Sequence, residues 1–161
     1  MRRALLLLVS IALAAAGCGQ ADGGDVAAGD GRGMASLSAN RPAGQFDVEL
    51  TGAAVVGGQG HPTGSGAAVV TLQPTRGELC YRIDVDGVDE VTSAHLFEGK
   101  VGVVGGVVLN LQPPAGGSVD RCVTAPSALL TKVAATPAAF SLHLRTVAHP
   151  EGALRGHLRV D

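Results

Sequence analysis

Six short runs, most of them strictly alternating apolar and polar residues, leave this chain few folds to choose from. Phe46, Val48 and Leu50 alternate with Asp47 and Glu49, and Leu79, Tyr81, Ile83 and Val85 with Cys80, Arg82, Asp84 and Asp86. Phe140, Leu142 and Leu144 alternate with Ser141, His143 and Arg145. Leu154, Leu158 and Val160 alternate with Arg155, His157 and Arg159, while Gly156 takes an apolar position. Val107, Leu109 and Leu111 follow a Gly pair, and residues 67–72 are a continuous apolar run between Gly-rich turns. A period of two marks a strand with one face in a core and the other in water. Gly and Pro, 24 and 8 of the 161 residues, punctuate the runs, so the predicted fold is an antiparallel all-β sandwich of short strands. One segment departs from this pattern. Over Ser127–Ala135, Leu129, Leu130 and Val133 are spaced for a short helix, which Pro137 stops. The turn chemistry of His149-Pro150-Glu151-Gly152 joins the last two runs as a hairpin. With no Trp, three Phe and one Tyr, the core must be built from Val, Leu, Ala and Ile.

The first residues read as a targeting segment. Arg2 and Arg3 precede an apolar stretch, residues 4–16, broken only by Ser10. As a helix it reaches about 20 Å, short of the roughly 30 Å needed to span a bilayer. Ala15, Ala16 and Gly17 then lead to Cys18, which resembles the bacterial lipobox. On that reading residues 1–17 are a lipoprotein signal peptide and Cys18 carries the lipid, palmitate among its chains. The other reading is an ordinary signal peptide cleaved near Ala16. Residues 18–45 are rich in Gly, Ala, Asp and Ser and cannot bury enough apolar surface to fold, so they are expected to be a flexible tether. The domain is expected over residues 46–161.

Cys80 and Cys122 remain once Cys18 is assigned. In a domain outside the cytoplasm such a pair forms a disulfide, and closing a loop of this length stabilises by roughly 4 kcal/mol in the chain-entropy view. A metal or redox role for the pair finds no Cys-x-x-Cys spacing and no third thiol in the domain. Twelve Lys and Arg against fourteen Asp and Glu give a net charge of −2, which excludes a basic nucleic-acid binder. No G-x-S-x-G elbow or phosphate loop occurs, and the glycines of residues 102–106 do not open a helix. The chain is accordingly expected not to be an enzyme.

Five histidines, His61, His95, His143, His149 and His157, are the candidates for ligand chemistry, and no two have H-x-H or H-x-x-x-H spacing. If the last two strands pair, His143, Arg145, Arg155, His157 and Arg159 form a basic stripe. It is read as a solvated face, or else as the seat of an anionic ligand or a partner's acidic surface.

Three segments taken in order carry a resemblance to a family. Phe46-Asp47-Val48-Glu49-Leu50-Thr51-Gly52-Ala53, then the Val69 and Val70 run, then Leu79-Cys80-Tyr81-Arg82-Ile83-Asp84-Val85 resemble the opening of a CHRD domain, the module named after chordin. Thr92-Ser93-Ala94-His95-Leu96-Phe97-Glu98-Gly99, with the following Gly105-Gly106-Val107-Val108, is similar to its His-containing middle. His149-Pro150-Glu151-Gly152-Ala153-Leu154-Arg155-Gly156-His157-Leu158 is similar to its closing signature. The resemblance implies an immunoglobulin-like β-sandwich and an extracellular binding module. Phe97 and Arg145 stand where the family pattern has histidines, and His157 where it has Gln. Any family histidine cluster is therefore reduced here to His95 and His149, with His143 as a substitute.

The expected protein is a lipid-anchored, non-catalytic binding or cell-surface module on the extracytoplasmic face of the cell membrane. It has no nucleic-acid partner, and its partner is an envelope or extracellular protein. Arg155 is expected to pair with Glu151 and, with Gly152 and Gly156, to pin the terminal hairpin. No cofactor is expected. The alternative is a transition-metal protein binding Cu or Zn through His95, His143, His149 and His157.

Overall fold

A computed structural model describes residues 44–160. The signal segment, Cys18 and nearly all of the tether lie outside the described residues. The strands are β1 (Gln45–Thr51), β2 (Ser65–Gln73), β3 (Glu78–Asp86), β4 (Val91–Glu98), β5 (Gly106–Leu111), β6 (Ser118–Thr124), β7 (Phe140–Thr146) and β8 (Leu154–His157), with helix α1 (Ser127–Ala135) between β6 and β7. Every neighbouring pair is antiparallel, and the eight strands form one sheet in the order β5-β4-β7-β8-β1-β2-β3-β6. The fold is thus all-β with one short helix, its hydrogen bonds running through one continuous, curled sheet. The two ends of the sheet meet. Just past β5, the Gln112 N–H donates to the Tyr81 hydroxyl on β3 at 2.8 Å, and Arg121 on β6 donates to the Gln112 side chain.

The alternation in the sequence sets the inward face. Phe46, Val48 and Leu50 of β1, Leu79, Tyr81 and Ile83 of β3, and Phe140, Leu142 and Leu144 of β7 are all buried in a single core. Residues 67–72, continuous in apolar character, also alternate in space, with Ala68, Val70 and Leu72 inside. Helix α1 spans the predicted residues and closes the core with Leu130 and Val133. Two strands have no clear alternation in the sequence. β6 is an edge strand whose residues are mostly exposed, so no core selects an apolar pattern for it. β4 carries two register irregularities, one against each neighbour, that break its period.

The terminal hairpin forms as expected, with Ser141 opposite His157 and Leu144 opposite Leu154. Its turn is closed by the Gly152 N–H donating to the His149 carbonyl at 3.1 Å. Gly152 has φ +148°, a conformation that favours glycine. Gly156 is needed for close approach, because a Cβ there would lie 2.0 Å from the Glu49 carbonyl oxygen of β1. Among the described residues no helix is long and apolar enough to cross a membrane.

Candidate functional site

Strands β4, β7 and β8 are neighbours, and their outward faces bring together residues far apart in the chain. Cross-strand register places His95 opposite His143 and His143 opposite Arg155, a row across three strands. The next row is Phe97, Ser141 and His157. Strand parity adds Arg145, so most of the predicted basic stripe does assemble.

Its environment differs from the solvated face expected. Arg155 and Ser141 are 0 % exposed and His143 only 4 %. Strand β7 is buried on both faces along most of its length. Two things cover the outer face. The Phe97 ring stacks on His143 with centroids 4.1 Å apart, and His95 meets Phe97 edge-on at 6.1 Å. The loop of residues 99–105, between β4 and β5, then crosses above, and its Val103 carbonyl accepts a 2.6 Å hydrogen bond from Arg155 Nη2. Phe97, itself buried, thus packs over this surface.

Arg155 does not pair with Glu151, which is exposed in the turn. The guanidinium instead runs inward under the loop, where its Nε donates to Ser141 Oγ at 3.4 Å. Glu98 of β4 pairs with Lys132 and Glu49 of β1 with Arg159. Arg155 is therefore a buried cation with no carboxylate among the described residues. Burial lowers its proton affinity. The same surroundings hold the histidines neutral. His143 is pushed down to about 3, first by burial and then by Arg155, Arg145 and the neighbouring histidines. His95 is lowered by burial and then Arg145, and His157 by burial and then Arg155.

Among the described residues, the buried side-chain nitrogens that lack a hydrogen-bond partner are His95 Nδ1, His143 Nε2, Arg145 Nε and Arg155 Nη1. All four belong to this one face. Buried polar groups in folded proteins are nearly always paired, so such a cluster requires a reason.

His149 lies apart from this group. Its Nδ1 donates to the Gln59 carbonyl at 3.0 Å, and its ring meets His61 edge-on at 5.3 Å. His61 in turn accepts the Gly64 N–H at Nδ1, and its backbone N–H donates to the Ala153 carbonyl. The two histidines tie the β1–β2 loop to the terminal turn. The proposed four-histidine set is therefore not brought together; His95, His143 and His157 share a face without His149. His157 is itself tied down, with Nδ1 donating to the Ala138 carbonyl at 3.0 Å. Neither Ser141 nor the loop carbonyl of Val103 stands out in the sequence. Ser141 could have been found from its strand phase, while a backbone acceptor carries no sequence signal.

Cys80 and Cys122 face each other on β3 and β6 and form the expected disulfide. Glu78 lies close enough to join them as a metal-binding group, but the disulfide leaves no thiolate for an ion. Arg82 and Asp120 form an exposed ion pair beside them at 2.7 Å.

Residues 46–158 match the family model of the CHRD domain. No curated protein and no solved structure matches the chain.

Proposed function

The chain belongs to the CHRD-domain family, and from that premise we propose that it is a lipid-anchored, non-catalytic binding module on the extracytoplasmic face of the cell membrane. The observation that carries the binding role is the roofed face of β4, β7 and β8, where four buried nitrogens have no partner. Its geometry suits recognition better than catalysis. The Ser141 hydroxyl is engaged with Arg155, and among the described residues no serine hydroxyl bonds a histidine as a nucleophile–base pair would. The anchor rests on Cys18 after an apolar segment too short to span a bilayer. Family membership also supports an immunoglobulin-like reading of the curled sheet, with β5-β4-β7-β8 as one layer and β1-β2-β3-β6 as the other.

The Cu or Zn reading has three neutral imidazoles on one face in its favour, since neutral imidazole is the metal-binding form. Arg155 and Arg145 count against it, because both place positive charge beside the ligands a cation would need. Mass spectrometry of the mature protein from membrane fractions tests where the module works. A lipidated Cys18 at the N-terminus is expected; an unmodified Cys18 or a cytosolic protein overturns the anchored reading.

A further inference from the structure

A buried arginine whose guanidinium has one nitrogen on a hydroxyl, one on a backbone carbonyl and one on nothing is built to receive a negative charge. Arg155 Nε is spent on Ser141 and Nη2 on the Val103 carbonyl, while Nη1 is unpartnered. Its register neighbour His143 is 4 % exposed and has Nε2 unpartnered. A neutral imidazole carries one N–H, and in the Nε2–H tautomer this is a second free donor beside the first. Among the described residues no carboxylate pairs with Arg155, and Glu98 and Glu49 hold Lys132 and Arg159.

We propose that Arg155 Nη1 and His143 Nε2, reached when the 99–105 loop lifts, bind the carboxylate of a small organic acid. This deepens the binding-module reading and rests on it. One charged donor beside one neutral donor suits the single charge and paired oxygens of a carboxylate. A small acid is required because the loop and Phe97 roof the site. Phe97 itself is 4 % exposed, and a bulky ligand would have to displace its stack on His143. The loop is the movable part of the roof. Its valines Val101, Val103 and Val104 are all more than half exposed, and one hydrogen bond from Arg155 holds Val103 down. Lifting the loop exposes the guanidinium without disturbing the core on the other side of β7.

The test is a titration of the full chain, purified in detergent, with acetate and with its neutral isostere acetamide at neutral pH and constant ionic strength. Melting temperature and the ring-nitrogen resonances of His143 are the readouts. Acetate is expected to raise the melting temperature saturably and to shift the His143 resonance, with acetamide doing neither. In Arg155→Met the affinity for acetate should fall about tenfold or more, the loss expected of a hydrogen bond to a charged group. His143→Phe, which keeps the ring stack and removes the donor, should weaken acetate to a lesser degree and decides the question if Arg155→Met does not fold. Equal effects of acetate and acetamide, saturation by sulfate or phosphate but not acetate, or undiminished acetate binding in the variants each overturn the proposal. A failed titration leaves a lipidated Cys18 in place, and a missing lipid leaves the titration in place, so the two readings fail separately.

Discussion

Two arginines on outward strand faces have opposite circumstances in this molecule. Arg82 on β3 is 64 % exposed at its side chain and pairs with Asp120 across to β6. Arg155 on β8 is 0 % exposed and has no carboxylate partner among the described residues. Both positions follow the same alternation and look alike in the sequence. The difference is what lies above them. At the β3–β6 end Arg82 and Asp120 stand in water, which screens their charges, whereas Phe97 and the 99–105 loop remove water from the β7–β8 region. Alternation assigns a residue to a face; it does not say whether that face is wet.

That contrast can be broken or sharpened experimentally. The largest effect should come from the β3–β6 end. Replacing Cys80 and Cys122 with serine removes a cross-link that closes a long loop and should cost about 4 kcal/mol, measured by urea unfolding. The ion pair on the same strands should matter far less than the disulfide.

The next effect should have the opposite sign. Arg155→Met removes a buried charge, and the Val103 carbonyl it releases sits on an exposed residue that can turn to water. Stability should rise, by an amount bounded by the about 1–4 kcal/mol seen when buried ion pairs give way to apolar side chains of similar size. A loss of stability would mean that the hydrogen bonds to Val103 and Ser141 outweigh the desolvation of the charge.

Acidification should also separate the two regions. His143 is held near 3 in the folded state and titrates at its ordinary value near 6.5 when unfolded. Between those limits the unfolded chain binds a proton that the folded chain refuses, so stability falls as pH drops through that window, by up to about 1.4 kcal/mol per pH unit. His95 and His157 are lowered too and act in the same direction. His143→Phe should flatten the slope, with melting temperature against pH as the readout. The smallest effect belongs to Arg82→Ala, which should move the melting temperature by less than about 2 °C, as for other exposed ion pairs.

Much of the fold was legible because burial on one face writes itself into every second residue. Phe46, Val48 and Leu50 show this in β1, and Leu130 and Val133 show the equivalent helical spacing in α1. β6 was not legible, since Val119 and Val123 are only half-buried at an edge. The pairing of His143 and Arg145 with Arg155 and His157 could be read from the strand phases and the turn between them. Their burial could not, because the cover is a glycine-rich loop whose valines point outward and whose contact with Arg155 is made by a main-chain oxygen. The expected Arg155–Glu151 pair failed for a related reason. Four residues apart across a turn, the two side chains are near in sequence, but the strand carries Arg155 under the roof while Glu151 stays in the turn. His149 failed as a partner of His95 because its position past the end of β7 delivers it to the β1–β2 loop.

The place of β1 has a consequence for how the chain reaches this state. It lies inside the sheet between β2 and β8, the strand that comes last in the chain. Thr51 therefore waits for Arg155, and Asp47 for Arg159, before either edge is complete. Contacts between such distant residues make for slow folding. Until the last strand is available, both β1 and β7 present an open edge that other chains can join. Formation of this domain is thus governed by the arrival of its final residues, and shortening the chain before β8 would leave a sticky, open sheet in place of a slightly smaller one.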